Sequence, residues 1–166
     1  MLEYMFWADE IAGEIEKRFA KEITAGTPLV IRDEKTLSGR VHVGSLRGIV
    51  LHGAIAEVLS QRNIANTFMF ELNDFDPMDG LPINIDQEKF RPFMGKPLYR
   101  VPSPDDRAEN FPMFYGDEIQ EVVHMLGLPI EFYPLLPLYK EGKFNDVIKQ
   151  ALDHADAIRT IYLQSG

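Results

Sequence analysis

The most constraining feature of this chain is a short apolar strand followed by a polar loop, a long helical pattern and a second strand. The segment LVI at 29–31 precedes the polar stretch RDEKTLSGR at 32–40. Apolar residues then recur at helical spacing over 42–62, and TFMFEL at 67–72 suits a buried strand. Strand, loop, helix and strand form a βαβ crossover, which requires parallel strands. The sequence therefore predicts an α/β fold whose loop at 32–40 opens at the carboxyl edge of a parallel sheet.

The flanking segments extend this single domain. Residues 3–22 carry apolar side chains on one face of a predicted amphipathic helix. Most of the prolines lie between 73 and 115, where we predict a long irregular insertion with one short helix. Further helices are predicted at 119–126 and 144–158, with a strand at 129–135 that its prolines weaken. We therefore interpret residues 1–166 as one domain interrupted by an insertion at about 73–115.

Composition limits the classes of function. Hydrophobic residues make up 45% of the 166 positions, which is enough for a sizeable core. A formal net charge of −9 argues against an extended surface that follows a nucleic-acid backbone, so any such contact must be local. The chain has no cysteine, which excludes disulfides, thiol catalysis and cysteine-bound zinc within it.

The targeting signals of secreted and membrane proteins are also not apparent in the sequence. The first residues, MLEYMFWADE, carry acids where a signal peptide has a basic region. No apolar run approaches the roughly 20 residues of a membrane-spanning helix. We therefore expect a soluble, cytoplasmic protein without a membrane partner.

The segment His42-Val43-Gly44-Ser45 begins the helix after the first strand. A helix N-terminus at the carboxyl edge of a parallel sheet offers free N–H groups to phosphate. Gly39 and Gly44 have the spacing of the P-loop glycines, but Ser45 and Leu46 replace the required Lys and Ser or Thr. His42 and Ser45 could donate hydrogen bonds to phosphate or ribose, and Gly44 could admit a flat base. On these four residues alone, an ordinary helix start with a glycine for packing is the favoured interpretation.

The stretch TLSGRVHVGS at 36–45 resembles the His-Ile-Gly-His signature of class I aminoacyl-tRNA synthetases. Its flanks are similar to the archaeal-type class I lysyl-tRNA synthetases, which carry Thr-Pro-Ser-Gly-x-x-His-Ile-Gly-Asn. Other segments resemble this family in the same order along the chain. They are FWADEIA at 6–12, NDFDPMDGLP at 73–82, GKPLYRVPSP at 95–104 and LYKEGKFNDVIKQAL at 138–152.

This resemblance implies the first half of a Rossmann-like, HUP-type catalytic domain, with a parallel sheet flanked by helices. It also implies ATP-dependent activation of lysine to lysyl-adenylate and transfer to tRNA(Lys), with Mg²⁺ accompanying ATP and no zinc in this chain. The second half-sheet, its Lys-Met-Ser-Lys-Ser-like loop and the anticodon-binding domain have no counterpart in these 166 residues. We therefore expect a fragment with little activity alone, which meets the tRNA acceptor end mainly through the missing part.

The resemblance assigns roles to individual residues. His42 and Ser45 are expected to stabilise the transition state, and ATP is expected to contact His42, Ser38, Gly39, Gly44 and Ser45. No metal ligand is predicted, and His52, His124 and His154 receive no role.

The amino-acid pocket of the family includes the position of Thr36. Glu34 stands where many members have glycine. Asp33 or Glu34 could pair with a lysine ammonium group, and a solvated charged loop is an equal alternative. Polar residues after the second strand should face the same crevice and are further candidates for contacting the amino acid. For these residues, Asx turns that order the loop are an equal alternative. They are Asn73, Asp74 and Asp76.

Two other classes of protein remain open. Small nucleotidyltransferases carry the same signature, although a long helix precedes the first strand here and the ending RTIYLQSG supplies no Ile-Ser-Ser-Thr-like loop. A non-catalytic, synthetase-like binding module is the second alternative. Leu37 in place of proline and Glu34 in place of a small residue favour it, whereas the intact His42 and Gly44 oppose it.

Overall fold

A three-stranded parallel sheet forms the centre of the computed structural model, which describes residues 6–105 and 107–165. The strands are β1 (Leu29–Thr36), β2 (Asn66–Asn73) and β3 (Ile130–Pro134), in that spatial order. Helix α3 (Val43–Gln61) connects β1 to β2, and α5 (Phe111–Met125) precedes β3. The predicted α/β class with parallel strands is confirmed. The other helices are α1 (Trp7–Arg18), α2 (Ala20–Thr24), α4 (Gln87–Phe90), α6 (Leu136–Lys140), α7 (Asn145–Asp153) and α8 (Ala155–Ser165).

Strand β1 is longer than the sequence predicts. It pairs with β2 along its whole length, from Leu29 beside Asn66 to Thr36 beside Asn73. The prediction that residues 32–36 belong to a loop is therefore wrong. Successive side chains of a strand point to opposite faces, so charged residues are tolerated where one face meets water.

The two faces of the sheet differ in packing. On the face towards α3 and α5, which we call the covered face, Phe68, Phe70 and Leu72 of β2 are buried. On the opposite face, here the open face, the side chains stay partly or fully exposed, as at Val30 and Glu34. The buried residues that complete the core of the covered face are Leu37, Ile49, Ala56, Ile119 and Val123.

The N-terminal helical segment packs mainly on α3. Helix α1 buries Ala8 and Ala12 in a cluster with Val58 and Leu59 of α3. The predicted continuous helix over 3–22 is interrupted at Phe19, which has φ −108° and ψ 25°, and resumes as α2. Positions 3–5 of that prediction lie outside the described residues.

Ion pairs also hold α1 at the end of α3. Arg62 donates to the carboxylate of Glu16 at 2.8 Å and to that of Asp9 at 3.1 Å. Trp7, in the first turn of α1, remains 37% exposed. Helix α1 is thus attached by two small buried alanines and by one guanidinium group.

The insertion contains short elements and a core of its own. Helix α4 is capped by Asp86, whose side chain accepts from the N–H of Lys89. Helix α5 begins at Phe111, earlier than predicted, because Asn110 caps it by accepting from the N–H of Met113. The 3₁₀ turns are Arg91–Phe93 and Leu98–Arg100. The buried residues of this core are Met78, Phe90, Leu98, Val101, Phe111, Phe114 and Tyr115.

The last helical segment leaves its apolar side chains in solvent. The predicted helix over 144–158 is divided at His154, where φ is −112° and ψ is 20°, into α7 and α8. Neither helix has a buried residue among those described. The exposed apolar side chains include Val147, Leu152, Ile161 and Leu163.

Helix α3 is more apolar than expected, because the sequence was predicted to contain no segment long and apolar enough to span a membrane. By length and composition alone it is apolar enough to cross a membrane, because 19 residues include one arginine and one glutamate. Helix α3 nevertheless contacts β1, β2 and α1, and it buries Ile49, Ala56 and Leu59. A core helix of a folded domain has this same character.

Candidate active site

The segment that resembles the synthetase signature lies at the carboxyl end of β1. The chain leaves β1 at Thr36, crosses residues 37–42, here the signature loop, and begins α3 with His42 as N-cap. His42 has φ −112° and ψ 166°, and its side chain caps no backbone N–H. The exposed imidazole instead places Nε2 3.3 Å from Oγ of Ser45. With no acidic residue in the first turn, the partial positive charge of the helix N-terminus remains available to an anion.

Gly44 makes room for the imidazole of His42. A Cβ atom at position 44 would lie 3.0 Å from both Cε1 and Nδ1 of His42. That distance is tighter than nine in ten real Cβ contacts, so a side chain there would require the exposed ring to shift by a few tenths of an ångström. The close approach of a nucleotide base to Gly44 stays a prediction.

A cleft of about 640 Å³ lies beside His42. One wall is Ser38–His42 of the signature loop, and the other is residues 79–84 of the insertion. The two walls meet where Gly39 faces Pro82, because a Cβ at Gly39 would lie 3.2 Å from Cγ of Pro82. The volume of the cleft is typical of small-molecule sites. Ser38, Gly39 and His42 line the cleft, whereas Gly44 and Ser45 follow it on α3.

An ion pair joins the signature loop to α5. The guanidinium of Arg40 donates from Nε to Oε2 of Glu118 at 3.0 Å and from Nη2 to Oε1 at 2.8 Å. Arg40 lines the cleft two residues before His42. No local sequence pattern indicates this contact, since 78 positions separate its partners.

Three of the predicted amino-acid-binding residues gather near the open face. Oγ1 of Thr36 donates to Oδ2 of Asp76 at 3.0 Å. Glu34 lies two residues earlier on the same side of β1, and Glu71 of β2 stands directly beside it. Partial burial raises the pKa of the Glu34 carboxyl, and the charges of Glu71 and Asp76 raise it further. Glu34, Thr36, Glu71 and Asp76 form what we call the acidic patch.

Glu71 and Tyr133 belong to this region and were missed by the sequence interpretation. The hydroxyl of Tyr133 donates to Oε2 of Glu71 at 3.0 Å. Burial raises the pKa of the Tyr133 hydroxyl, and its bond to Glu71 raises it further. The sequence pattern that could have identified Glu71 is its place between the apolar residues Phe70 and Leu72. Since successive residues of a strand face opposite sides, Glu71 must point away from the core.

Asp33 points to the covered face, away from the acidic patch. Its Oδ2 lies 3.0 Å from Nδ1 of His52 on α3, and its Oδ1 accepts from the N–H of Glu34 at 2.9 Å. Gly48 of α3 lies against this carboxylate, where a Cβ would collide with Oδ2. Because adjacent strand residues face opposite ways, Asp33 and Glu34 do not serve one pocket together.

Asn73 and Asp74 are engaged in ordering the loop after β2. Oδ1 of Asn73 accepts from the N–H groups of Phe75 and Asp76, both at 3.3 Å, which forms an Asx turn. Oδ1 of Asp74 accepts from the N–H of Leu136 at 2.7 Å. Burial raises the pKa of the Asp74 carboxyl, and the bond from Leu136 opposes this rise. Asn73 therefore matches the Asx-turn alternative, whereas Asp74 binds the chain just after β3.

Two further observations complete the site. A second cavity of about 420 Å³ lies at the ends of β2 and β3, and Leu37 is the part of the signature loop that lines it. Within residues 6–105 and 107–165, no three side chains of His, Asp or Glu gather to hold a metal ion.

A parallel sheet with a histidine at the N-cap of the first crossover helix has the arrangement of a nucleotide-binding α/β domain. The family model described as tRNA synthetases class I (K) matches residues 5–165. The chain belongs to this family, and the match favours the synthetase interpretation over a small nucleotidyltransferase.

Similar curated proteins include several archaeal enzymes. A lysine–tRNA ligase from Methanosarcina barkeri is 29% identical over 161 residues, covering 97% of this chain and 28% of the relative. Lysine–tRNA ligases from Pyrococcus horikoshii and Pyrococcus furiosus are 29% and 30% identical, each over 93% of this chain and 29% of the relative. The chain thus spans less than a third of the length of these relatives.

Proposed function

We propose that this chain provides the nucleotide-binding part of a class I lysine–tRNA ligase. The observation that carries the proposal is His42 at the N-cap of α3, 3.3 Å from Ser45 and beside an open cleft. The similar lysine–tRNA ligases support lysine and tRNA(Lys) as the other substrates. The proposal places the protein in the cytoplasm.

The proposed first step forms lysyl-adenylate. A carboxylate oxygen of lysine attacks the α-phosphorus of ATP, and the bond to the bridging oxygen breaks to release pyrophosphate. No general base is required, because a carboxylate is already a nucleophile. His42, Ser45 and the free N–H groups of α3 would donate hydrogen bonds to phosphate oxygens as charge moves onto them. Ser38 and Gly39, in the same wall of the cleft as His42, would also contact the nucleotide.

Mg²⁺ would arrive with ATP and supply charge neutralisation at the phosphates. Because the described side chains form no cluster of three metal-binding groups, the nucleotide oxygens and water would provide most of its ligands. The contribution of this chain is then to orient the phosphates, through His42 and the signature loop, for in-line attack.

The amino-acid end of the site is proposed to lie at the acidic patch. Its carboxylates, with the hydroxyl of Thr36, offer hydrogen-bond acceptors to an ammonium group of lysine. Asp33, Asn73 and Asp74 would act indirectly, because their side chains already bind His52 or backbone N–H groups.

The second proposed step transfers the lysyl group to tRNA. A ribose hydroxyl at the tRNA 3′ end attacks the carbonyl carbon of the adenylate, and AMP leaves. With a net charge of −9, this chain offers little attraction to a long stretch of nucleic-acid backbone. We therefore propose that it contacts only the acceptor end.

Replacing His42 in the full-length gene product tests this function. His42→Ala is expected to lower lysine-dependent pyrophosphate exchange by roughly 10²–10³-fold, because one preorganised donor to the developing charge is lost. His124→Ala, at an exposed position on α5, is the matched control and should leave exchange unchanged. Unchanged exchange in His42→Ala would contradict the assigned role.

A calorimetric titration of this chain with a non-hydrolysable lysyl-adenylate analogue separates the enzyme from a binding module. Binding of the analogue together with lysine-dependent exchange by the full-length protein supports the ligase. Binding without exchange would indicate a non-catalytic module. Arginyl and glutamyl analogues serve as controls for the choice of amino acid.

A further inference from the structure

The signature loop is attached to α5 at two points. The side chain of Leu37 is buried, and a Cβ at Gly116 of α5 would meet its Cδ1 at 3.4 Å. Two residues further along α5, Glu118 receives the two hydrogen bonds from Arg40. Helix α5 therefore contacts the loop through an apolar pair and a charged pair on either side of Ser38 and Gly39.

The Arg40 pair has the geometry that fixes orientation. A guanidinium that donates from Nε and Nη2 to both oxygens of one carboxylate is planar and resists rotation. The Glu118 side chain is 25% exposed, so its carboxylate is partly shielded from solvent, whereas the Arg40 side chain is 62% exposed. An exposed pair of this kind adds little to stability, but its two parallel bonds define one position of the loop.

The position of the loop determines the position of the reacting groups. Arg40 and His42 line the same cleft and are separated only by Val41, which packs against the core. A rotation of the peptide at Arg40 would therefore move the imidazole relative to the N-terminus of α3. Two other contacts restrain the loop: Gly39 faces Pro82, and the N–H of Leu37 donates to the carbonyl oxygen of Asn73 at 3.0 Å. Glu118 adds a polar restraint at the side chain next to His42.

We propose that Arg40 and Glu118 are positioning residues, and that their ion pair sets the signature loop so that His42 faces the cleft. This inference rests on the proposed function for its catalytic consequence. Its structural consequence, the placement of the His42 ring beside Ser45, is independent of that function.

The structural consequence is tested by NMR on this chain. Glu118→Gln keeps the size of the side chain but removes its charge, and it is expected to shift the His42 imidazole resonances and weaken the nuclear Overhauser effect between His42 and Ser45. Arg91→Ala removes an exposed ion pair with Glu88 in the insertion and is the matched control. Unchanged His42 resonances in Glu118→Gln would overturn the proposal.

The catalytic consequence is tested by pyrophosphate exchange with the full-length gene product. Arg40→Ala and Glu118→Gln are each expected to lower kcat about tenfold, while KM for lysine changes less than threefold, because the reacting groups are displaced. The exchanged pair, Arg40→Glu with Glu118→Arg, is expected to recover at least a third of the lost activity. A purely structural role would instead lower the melting temperature of each single variant and leave kcat of the folded protein unchanged.

The two proposals fail in different ways. If the full-length protein shows no exchange but Glu118→Gln displaces His42 in the NMR spectrum, the ligase proposal fails and the positioning role stands. If exchange depends on His42 but not on Arg40 or Glu118, the positioning role fails alone.

Discussion

The two faces of the sheet are made by the same strands but carry different kinds of side chain. The covered face is formed by aromatic and aliphatic residues of β2, such as Phe68 and Phe70, which pack under α3 and α5. The open face carries charged groups, such as Glu34 and Glu71, that remain in contact with solvent. The comparison indicates that the covered face maintains the fold, whereas the open face is free to carry chemistry.

The strongest test of this division compares neighbouring residues of β2. Phe70→Ala, on the covered face, is expected to lower the free energy of unfolding by about 3–5 kcal/mol, because it leaves a cavity in the core. Met69→Ala, on the open face, is expected to cost about 1 kcal/mol or less. Urea denaturation followed by circular dichroism measures both, and equal losses would contradict the division.

A smaller loss of stability is expected from disturbing Asp33, whose charged side chain lies on the covered face. Gly48→Ala would place a methyl group against the Asp33 carboxylate and separate it from His52, with an expected loss of roughly 1–2 kcal/mol. Gly13→Ala, in α1, is the matched control. Its Cβ would come no closer than 3.7 Å to its nearest neighbour outside the helix backbone, so it should gain about 0.5–1 kcal/mol. A gain in both variants would show that the approach of Asp33 to α3 is unimportant.

The smallest effect concerns the charge of Glu34 on the open face. Because the folded protein raises the pKa of this carboxyl above its usual 4.5, its ionisation destabilises the fold as the pH rises through and above that value. Glu34→Gln is therefore expected to be slightly more stable than the unsubstituted protein at pH 7, with the difference vanishing near pH 3. Thermal unfolding at both pH values measures this, with Glu131→Gln as control. If the difference in stability between Glu34→Gln and the unsubstituted protein persists at pH 3, the charge of Glu34 is not its cause.

Sequence reasoning was most successful where periodicity was strong. The helical spacing after His42 predicted α3 almost to its ends, and the apolar composition of residues 67–72 predicted β2. The strand β1 was underestimated because Arg32, Asp33, Glu34 and Lys35 have little strand propensity. Pairing along the whole of β2 outweighed that propensity. As neighbouring residues of a strand, and not of a loop, Asp33 and Glu34 point to opposite faces of the sheet.

The parts of the candidate site that were not predicted depend on distant contacts. Arg40 and Glu118 lie 78 positions apart, so no local pattern joins them. The insertion was predicted to be irregular because of its prolines, yet several of its aromatic residues are buried in a separate core. Leu81, which packs against that core, belongs to the wall of the cleft. The roles of His42, Ser45 and the other predicted contacts with substrate remain predictions to be tested.

The attachment of α1 to α3 has a spectroscopic consequence. Trp7 is the single tryptophan of the sequence. It lies in the first turn of α1 and not in a strand of the sheet. Intrinsic tryptophan emission therefore reports on the environment of α1, whereas far-ultraviolet circular dichroism reports on all the helices and the sheet. Coincident midpoints from the two signals would mean that α1 separates from α3 only when the sheet unfolds, and an earlier emission change would mean that the helix is released first.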